Sequence, residues 1–207
     1  MIAIVDYGVG NLFSLKSSLE FIGREVVITG DAEVLRHASH VFLPGGGAFG
    51  DARAKLRESG LDTVVCEIAA AGVPLMGICL GMQLLFDKSF EYGEHEGLGL
   101  IPGEVRPLAD AIDPALLIPH IGWNELTFRR EPESPIFAYV NEGDSVYFVH
   151  SYYACKCAEH TIAVTDYDIA VTAAVQRGNV YGCQFHPEKS GAVGLSILRA
   201  FCEIGVK

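Results

Sequence analysis

The stretch from Val73 to Gln83, Val-Pro-Leu-Met-Gly-Ile-Cys-Leu-Gly-Met-Gln, constrains this chain more than any other. An apolar run enters Gly-x-Cys-x-Gly and leaves it as a helix, the thiol counterpart of the strand–nucleophile–helix elbow. Such a turn brings neighbouring backbone too close for side chains at Gly77 and Gly81. It exposes Cys79 at the carboxyl edge of a sheet, where the following helix N-terminus favours a thiolate. The Leu80 N–H then points where an oxyanion would form. A cysteine buried for structural reasons in a glycine-rich turn is the competing explanation, and the complete pattern outweighs it.

A strand–elbow–helix needs an α/β setting, and the first two-thirds of the chain supplies the rhythm. Residues 2–5 form an apolar strand. Leu12, Leu15, Leu19 and Ile22 recur at helical spacing, with Gly23 as a stop. Strands follow at 25–28 and 40–44, then a helical stripe through Leu61, Val64, Val65, Ile68 and Ala69, closed by Gly72 and Pro74. Residues 74–78 form a short buried strand, and 80–87 the helix after it. This alternation predicts a mostly parallel sheet with ligands at the carboxyl ends of its strands. From about residue 98 short β-type runs at 118–121, 145–149, 162–165, 171–175 and 180–184 predict antiparallel additions to one sheet edge or a small second sheet. A final helix is expected over about 191–204, and one domain over residues 1–207.

The run from Val180 to Phe185 leads into His186-Pro187-Glu188. Residues two apart in an extended chain project to one side, and the proline biases His186 to extended geometry. Glu188 can therefore accept the imidazole N–H of His186 and fix its tautomer. Cys79, His186 and Glu188 make the candidate catalytic triad; an incidental histidine at a strand end is the weaker alternative.

Pro44-Gly45-Gly46-Gly47-Ala48-Phe49-Gly50 formally contains the dinucleotide fingerprint G-x-G-x-x-G. The fingerprint belongs to the first βα turn, whereas this match follows the third strand, and Gly8-Val9-Gly10 lacks the third glycine. No Walker lysine follows. A backbone loop offering N–H donors to an oxyanion, completing a hole with Leu80, is the better reading. His37, His40 and the Glu91–Glu96 run with His95 have no recurring metal-ligand spacing and read as solvated loops. Cys155-x-Cys157 lacks a second pair and reads as ordinary strand, so no metal and no cofactor are expected.

The net charge of −11 opposes a nucleic-acid or anionic-membrane partner and unaided capture of a phosphorylated substrate; a small neutral or zwitterionic substrate, or a partner that carries the basic site, fits better. Six cysteines without framework spacing, and a start that lacks the features of a signal peptide, predict reduced thiols in the cytoplasm. Apolar runs stay short of a membrane span.

Taken together, Pro44-Gly45-Gly46-Gly47, Gly77–Gln83 and His186-Pro187-Glu188 resemble class I, triad-type glutamine amidotransferases. Asp6-Tyr7-Gly8-Val9-Gly10-Asn11, His120-Ile121-Gly122-Trp123-Asn124, His150-Ser151-Tyr152-Tyr153 and Lys189-Ser190 extend the resemblance over nearly the whole chain. It implies a three-layer α/β fold and hydrolysis of glutamine to glutamate through a cysteine thioester, with ammonia passed to a partner synthase of (βα)₈-barrel fold. It further implies Gly46, Gly47 and Leu80 as oxyanion donors and Gln83, Ser151 and Tyr152 as substrate contacts. Asn11, Trp123, Asn124 and Lys189 would face the partner. The glycine loop usually reads Pro-Gly-Val-Gly in this family, and Gly46 departs from that. The same triad would also serve another ammonia-using synthase or a stand-alone γ-glutamyl thiol hydrolase, whereas a non-catalytic domain of this fold has no use for an intact triad.

Overall fold

The structure, a computed structural model, describes residues 1–129 and 133–205. Strands and helices alternate through the first half: β1 (Ile2–Val5), α1 (Leu12–Phe21), β2 (Val26–Thr29), α2 (Ala32–Arg36), β3 (His40–Leu43), α3 (Phe49–Glu58), α4 (Leu61–Ala70), β4 (Leu75–Ile78) and α5 (Leu80–Leu84). The second half is rich in strands. It runs through β5 (Phe86–Ser89), β6 (His95–Glu96), β7 (Ile101–Pro107), β8 (His120–Glu125), β9 (Thr127–Phe128), β10 (Ser145–His150) and β11 (Tyr152–Cys155). It closes with β12 (Thr161–Tyr167), β13 (Ile169–Arg177), β14 (Val180–Cys183) and α6 (Gly191–Cys202).

The main sheet has the order β2-β1-β3-β4-β14-β13-β12-β9. Its first five strands are mutually parallel, and β13, β12 and β9 extend it antiparallel. Helices cover both faces, so β1, β3 and β4 are buried along their length and read as continuous apolar runs rather than alternations. Leu35, Phe49, Leu56, Val65 and Ile68 pack one face. On the other, Leu15 and Leu19 of α1 meet Ile197, Leu198 and Phe201 of α6. The Phe201 ring stands edge-on to Phe42 of β3 at 4.9 Å. Two smaller sheets, β10-β8 and β11-β7-β5-β6, sit beside this three-layer body.

Three sequence expectations change. The helix after the elbow ends at Leu84, because Phe86–Ser89 pairs with β7 and satisfies its backbone in a sheet. The run at 180–183 is an interior parallel strand beside β4, where an antiparallel addition was expected. Helix α3, not expected, buries only Phe49, Ala52 and Leu56, too sparse a stripe to stand out in sequence.

The interior parallel position of β14 matters, because it places the chain after Cys183 next to the chain after Ile78. The elbow itself is closed by a near-contact of backbones. A Cβ on Gly81 would run into the Leu43 carbonyl, and one on Gly45 into the Gly81 amide. Gly46, by contrast, keeps 3.6 Å of clearance and a backbone that side chains adopt. Gly81→Ala is therefore expected to lower folding stability by about 1–3 kcal/mol, while Gly46→Ala holds or slightly raises it. Urea denaturation midpoints check both, and an unaffected Gly81→Ala would show that β3 and α5 can separate freely.

Candidate active site

Cys79 sits between β4 and α5 with φ 54° and ψ −114°. This conformation is costly for a residue with a side chain, about 1–3 kcal/mol, and persists because its surroundings fix it. The Cys79 N–H donates to the Cys183 carbonyl at 2.7 Å, and its own carbonyl accepts from Gln83 N at 3.1 Å. A Cβ on Gly77 would come within 2.6 Å of the Gly81 carbonyl oxygen, so the turn tolerates only glycine there. As the first residue of α5, Leu80 has a backbone N–H with no acceptor one turn earlier in its helix.

His186 follows β14 and is buried. Its Nδ1 lies 2.8 Å from Glu188 Oε1, whose side chain is itself almost wholly enclosed. Glu188 Oε2 has no hydrogen-bond partner among the described residues. Burial alone would lower the imidazole. Hydrogen bonds to Cys79 and Glu188, reinforced by their charges, outweigh that and push it up to about 9. The fold thus brings Cys79, His186 and Glu188 together, with the ring between thiol and carboxylate.

Cys79 and His186 open on a cleft of about 610 Å³ lined by the glycine loop 45–47, Leu80, Gln83, Glu91 and the 149–152 segment. The loop is held from beneath. The Tyr7 hydroxyl donates to the Pro44 carbonyl at 2.7 Å, and Gly10 packs so closely that a Cβ there would lie 3.1 Å from the Pro44 Cβ. Gly47 has φ 79°. Gln83 is buried, and its amide nitrogen donates to the Tyr152 carbonyl at 3.1 Å and to Gln184 Oε1 at 2.9 Å. Its Oε1 remains as an acceptor. Ser151 and Tyr152 are half-buried on the cleft wall.

The structure adds two residues that the sequence reading passed over. Gln184 is fully buried and directs Nε2 at Cys79 Sγ, 3.8 Å away. Its place, just past the end of β14 and two residues before His186, was the available signal. Glu91, expected in a solvated loop, is buried in the cleft, and its Oε2 accepts from the Phe49 N–H at 2.7 Å. Burial pushes its carboxyl up, with the Phe49 N–H and the charge of His95 opposing. No local pattern reveals it, because its partner lies at the start of α3, 42 residues earlier. His95 is half-buried beside Phe49, and His40 is buried with Nε2 2.9 Å from the Ile204 carbonyl; both were expected in solvated loops, and only His37 is exposed. Among the described residues no cluster of potential ligands is arranged for a metal.

Of the residues expected at a partner surface, Asn11, Trp123 and Lys189 are exposed, with Asn11 also capping α1 through Ser14 N. Asn124 alternates to the other side of β8 and is half-buried, bonded to His120 and to the Asp166 carbonyl.

A glycine loop, an elbow cysteine and a histidine–glutamate pair around one cleft define an amidotransferase architecture. The family described as glutamine amidotransferase class-I matches residues 3–204, and the chain belongs to that family. It is 46% identical over 204 residues to the imidazole glycerol phosphate synthase subunit HisH of Listeria monocytogenes serovar 1/2a (strain ATCC BAA-679 / EGD-e), covering 99% of this chain and 96% of that one. With the protein of the same name from Geobacillus sp. (strain WCH70) the identity is 49% over 207 residues, 99% of this chain and 97% of the other. A solved structure titled "Crystal structure of glutamine amidotransferase" superimposes with a TM-score of 0.76 at 21% identity, covering 98% of each chain, which is a likeness of fold.

The raised His186 carries a pH dependence. Its folded value, about 9, lies above the ordinary 6.5. The stability this proton contributes is full below pH 6.5 and is lost as pH rises through about 9. Glu188→Gln weakens the proton's hold, so its stability deficit relative to wild type is expected to be largest at pH 6 and to shrink by pH 10. Urea unfolding across that range checks the sign; a deficit that grows with pH would contradict it.

Proposed function

We propose that this chain is the glutaminase subunit of imidazole glycerol phosphate synthase, acting in histidine biosynthesis, with Cys79, His186 and Glu188 as its catalytic triad. The observation that carries the reading is the elbow cysteine, held at φ 54° against a buried histidine–carboxylate pair, in a chain of this family. Near-full-length identity of 46–49% to subunits of that name supports the particular synthase.

Cys79 Sγ attacks the side-chain amide carbon of glutamine. The oxyanion is met by the Leu80 N–H and by the loop at Gly46 and Gly47. His186 passes its proton to the leaving ammonia, giving a thioester, and then takes a proton from the water that releases glutamate. Glu188 keeps the His186 Nδ1–H in place, which leaves Nε2 to do this work. Gln83 Oε1 and the Glu91 carboxylate supply acceptors for the substrate ammonium, while Ser151 and Tyr152 form the facing wall. No cofactor is needed at any step.

The ammonia goes to a synthase subunit of (βα)₈-barrel fold. Two features support a docked partner over a stand-alone hydrolase. Ile121 and Trp123 expose 58% and 56% of their surface on one side of β8, and Leu117 precedes them at 81%. The charge of −11 favours a phosphate site on the partner rather than on this chain. Asn11, Trp123 and Lys189 belong to this contact, and Asn124 reaches it from the inner side of the strand. The chain acts as one domain over residues 1–207. Its place in the cytoplasm rests on its biosynthetic role; among the described residues no helix is long and apolar enough to cross a membrane.

Cys79→Ala is expected to abolish glutamine hydrolysis while the synthase still turns over with added ammonium salt. His186→Ala should lose about 10²–10⁴ in rate, and Glu188→Ala less, since it orients the ring. Steady-state glutamate release in the reconstituted complex measures all three, and substantial glutamine turnover by Cys79→Ala would sink the assignment.

The glycine loop also sets a gate. One peptide flip at 46–47 adds or removes an N–H aimed at the oxyanion, a change of about 10²–10³ in turnover. Gly46 lowers the barrier to that flip relative to the valine usual in the family, and a Cβ at this position comes no nearer than 3.6 Å to Gly10. Gly46→Val is expected to reduce glutaminase activity of the free subunit and to widen its stimulation by the synthase. Equal rates for the lone wild-type chain and the complex would refute the gate.

A further inference from the structure

His120 and His150 face each other across the β8–β10 ribbon, and the chemistry above uses neither ring. His150 is buried and lines the cleft. His120 lies behind it, stacked with Phe148 at 5.1 Å and Tyr167 at 4.0 Å. Four contacts run in series. His150 Nδ1 meets the Tyr152 carbonyl at 2.9 Å, and its Nε2 meets His120 Nδ1 at 3.0 Å. His120 Nε2 meets Asn124 Oδ1 at 2.8 Å, and Asn124 Nδ2 donates to the Asp166 carbonyl at 3.1 Å.

Carbonyl oxygens only accept, so each end of the ring pair calls for an N–H and the central contact calls for a third. Two neutral imidazoles carry two. Burial opposes the extra proton: it drives His150 down to about 4, the bond to the Tyr152 carbonyl opposing and the charges of His120 and His186 assisting. It lowers His120 as well, against the bond to Asn124. The pair is bounded by Phe148 on β10, Tyr167 on β12, Tyr152 on β11 and His186 beyond β14. A neutral pair thus leaves one contact without a proton. The gap can lie at Tyr152, between the rings, or at Asn124. At Tyr152 the acceptor is a main-chain carbonyl also held by Gln83, and the rings are buried, whereas at half-buried Asn124 the acceptor is a side-chain amide that can turn and that water can replace, so the gap rests there.

The Tyr152 carbonyl leads on to the reaction centre, because it also accepts from Gln83, whose amide bonds Gln184, which faces Cys79 Sγ. We propose that Asn124 and His120 are positioning residues for the glutamine site, the hydrogen-bond polarity at Asn124 deciding whether His150 gives its Nδ1–H to the Tyr152 carbonyl and so holds Gln83 in place. This rests on reading the cleft as a glutamine site. The relay passes no proton to substrate. A group of the synthase that engages the Asn124 amide moves the gap inward and loosens the cleft wall.

The test compares glutamine KM and kcat from pH 6 to 9 for the wild-type complex, His120→Phe and Asn124→Asp, with ¹⁵N spectra of labelled histidines in each. His120→Phe keeps the stacking and removes both bonds; it is expected to raise KM about tenfold with kcat changed less than about twofold. In Asn124→Asp the carboxylate only accepts and stabilises the third proton. Its KM should match wild type at low pH and rise as that proton leaves, a transition absent from wild type. The wild-type spectra should place the His150 proton on Nδ1. Wild-type KM at every pH in both folded variants, or a His150 proton on Nε2, overturns the relay. Should His120→Phe fail to fold, Asn124→Asp at its half-exposed position decides alone. A wild-type complex inert toward glutamine would instead strike the reading of the cleft, and the ring spectra, which need no turnover, would still judge the relay.

Discussion

Everything in the site depends on how closely three backbones approach one another at the carboxyl end of the sheet. The glycine loop after β3 passes over the start of α5 with no room for a side chain at Gly45 or Gly81, and Gly77 is pressed against the same turn. That contact holds Cys79 in a conformation the residue would not choose. It also seats the start of the glycine loop against Leu80 and Gly81, so one packing constraint governs both the thiol and the loop that borders it. The strain at Cys79 is offset by the ordinary burial of β3, β4 and β14 around it.

The electrostatics follow from the same placement. His186 is buried, yet it holds its proton more tightly than a free imidazole because Cys79 and Glu188 flank it. His150, buried in the same wall, has no anion beside it among the described residues and gives its proton up far more readily. Two histidines in one cleft thus take opposite states for a simple reason: burial favours the neutral form unless a charge partner answers it. The contrast separates a ring suited to proton transfer from one suited to fixed hydrogen bonding.

Legibility varied with the range of the interaction. The parallel half of the sheet was readable because buried strands leave continuous apolar runs and their helices leave stripes, as in Leu61–Ala70. Helix α3 escaped notice because its core contact is three residues wide. The strand at Phe86–Ser89 looked like more helix because its pairing with β7 is decided 15 residues downstream. Glu91 and His40 read as solvated because nothing local marks them, whereas tertiary packing buries both.

The sequence by itself determined what is carried by adjacent residues: the elbow glycines around Cys79, the i, i+2 pairing of His186 with Glu188, and the glycine loop ending β3. Local backbone geometry dictates each of these, and the residue types fit no cheaper alternative. Only the tertiary structure decided which distant groups share the cleft. The parallel insertion of β14 beside β4 brings His186 to Cys79, a separation of 107 residues that no spacing rule encodes. The same folding set Gln184 against the thiol, Glu91 against α3, and the His120–His150 pair behind the cleft wall. Contacts of that kind depend on the order and direction of strands, which packing energy selects for the whole chain at once.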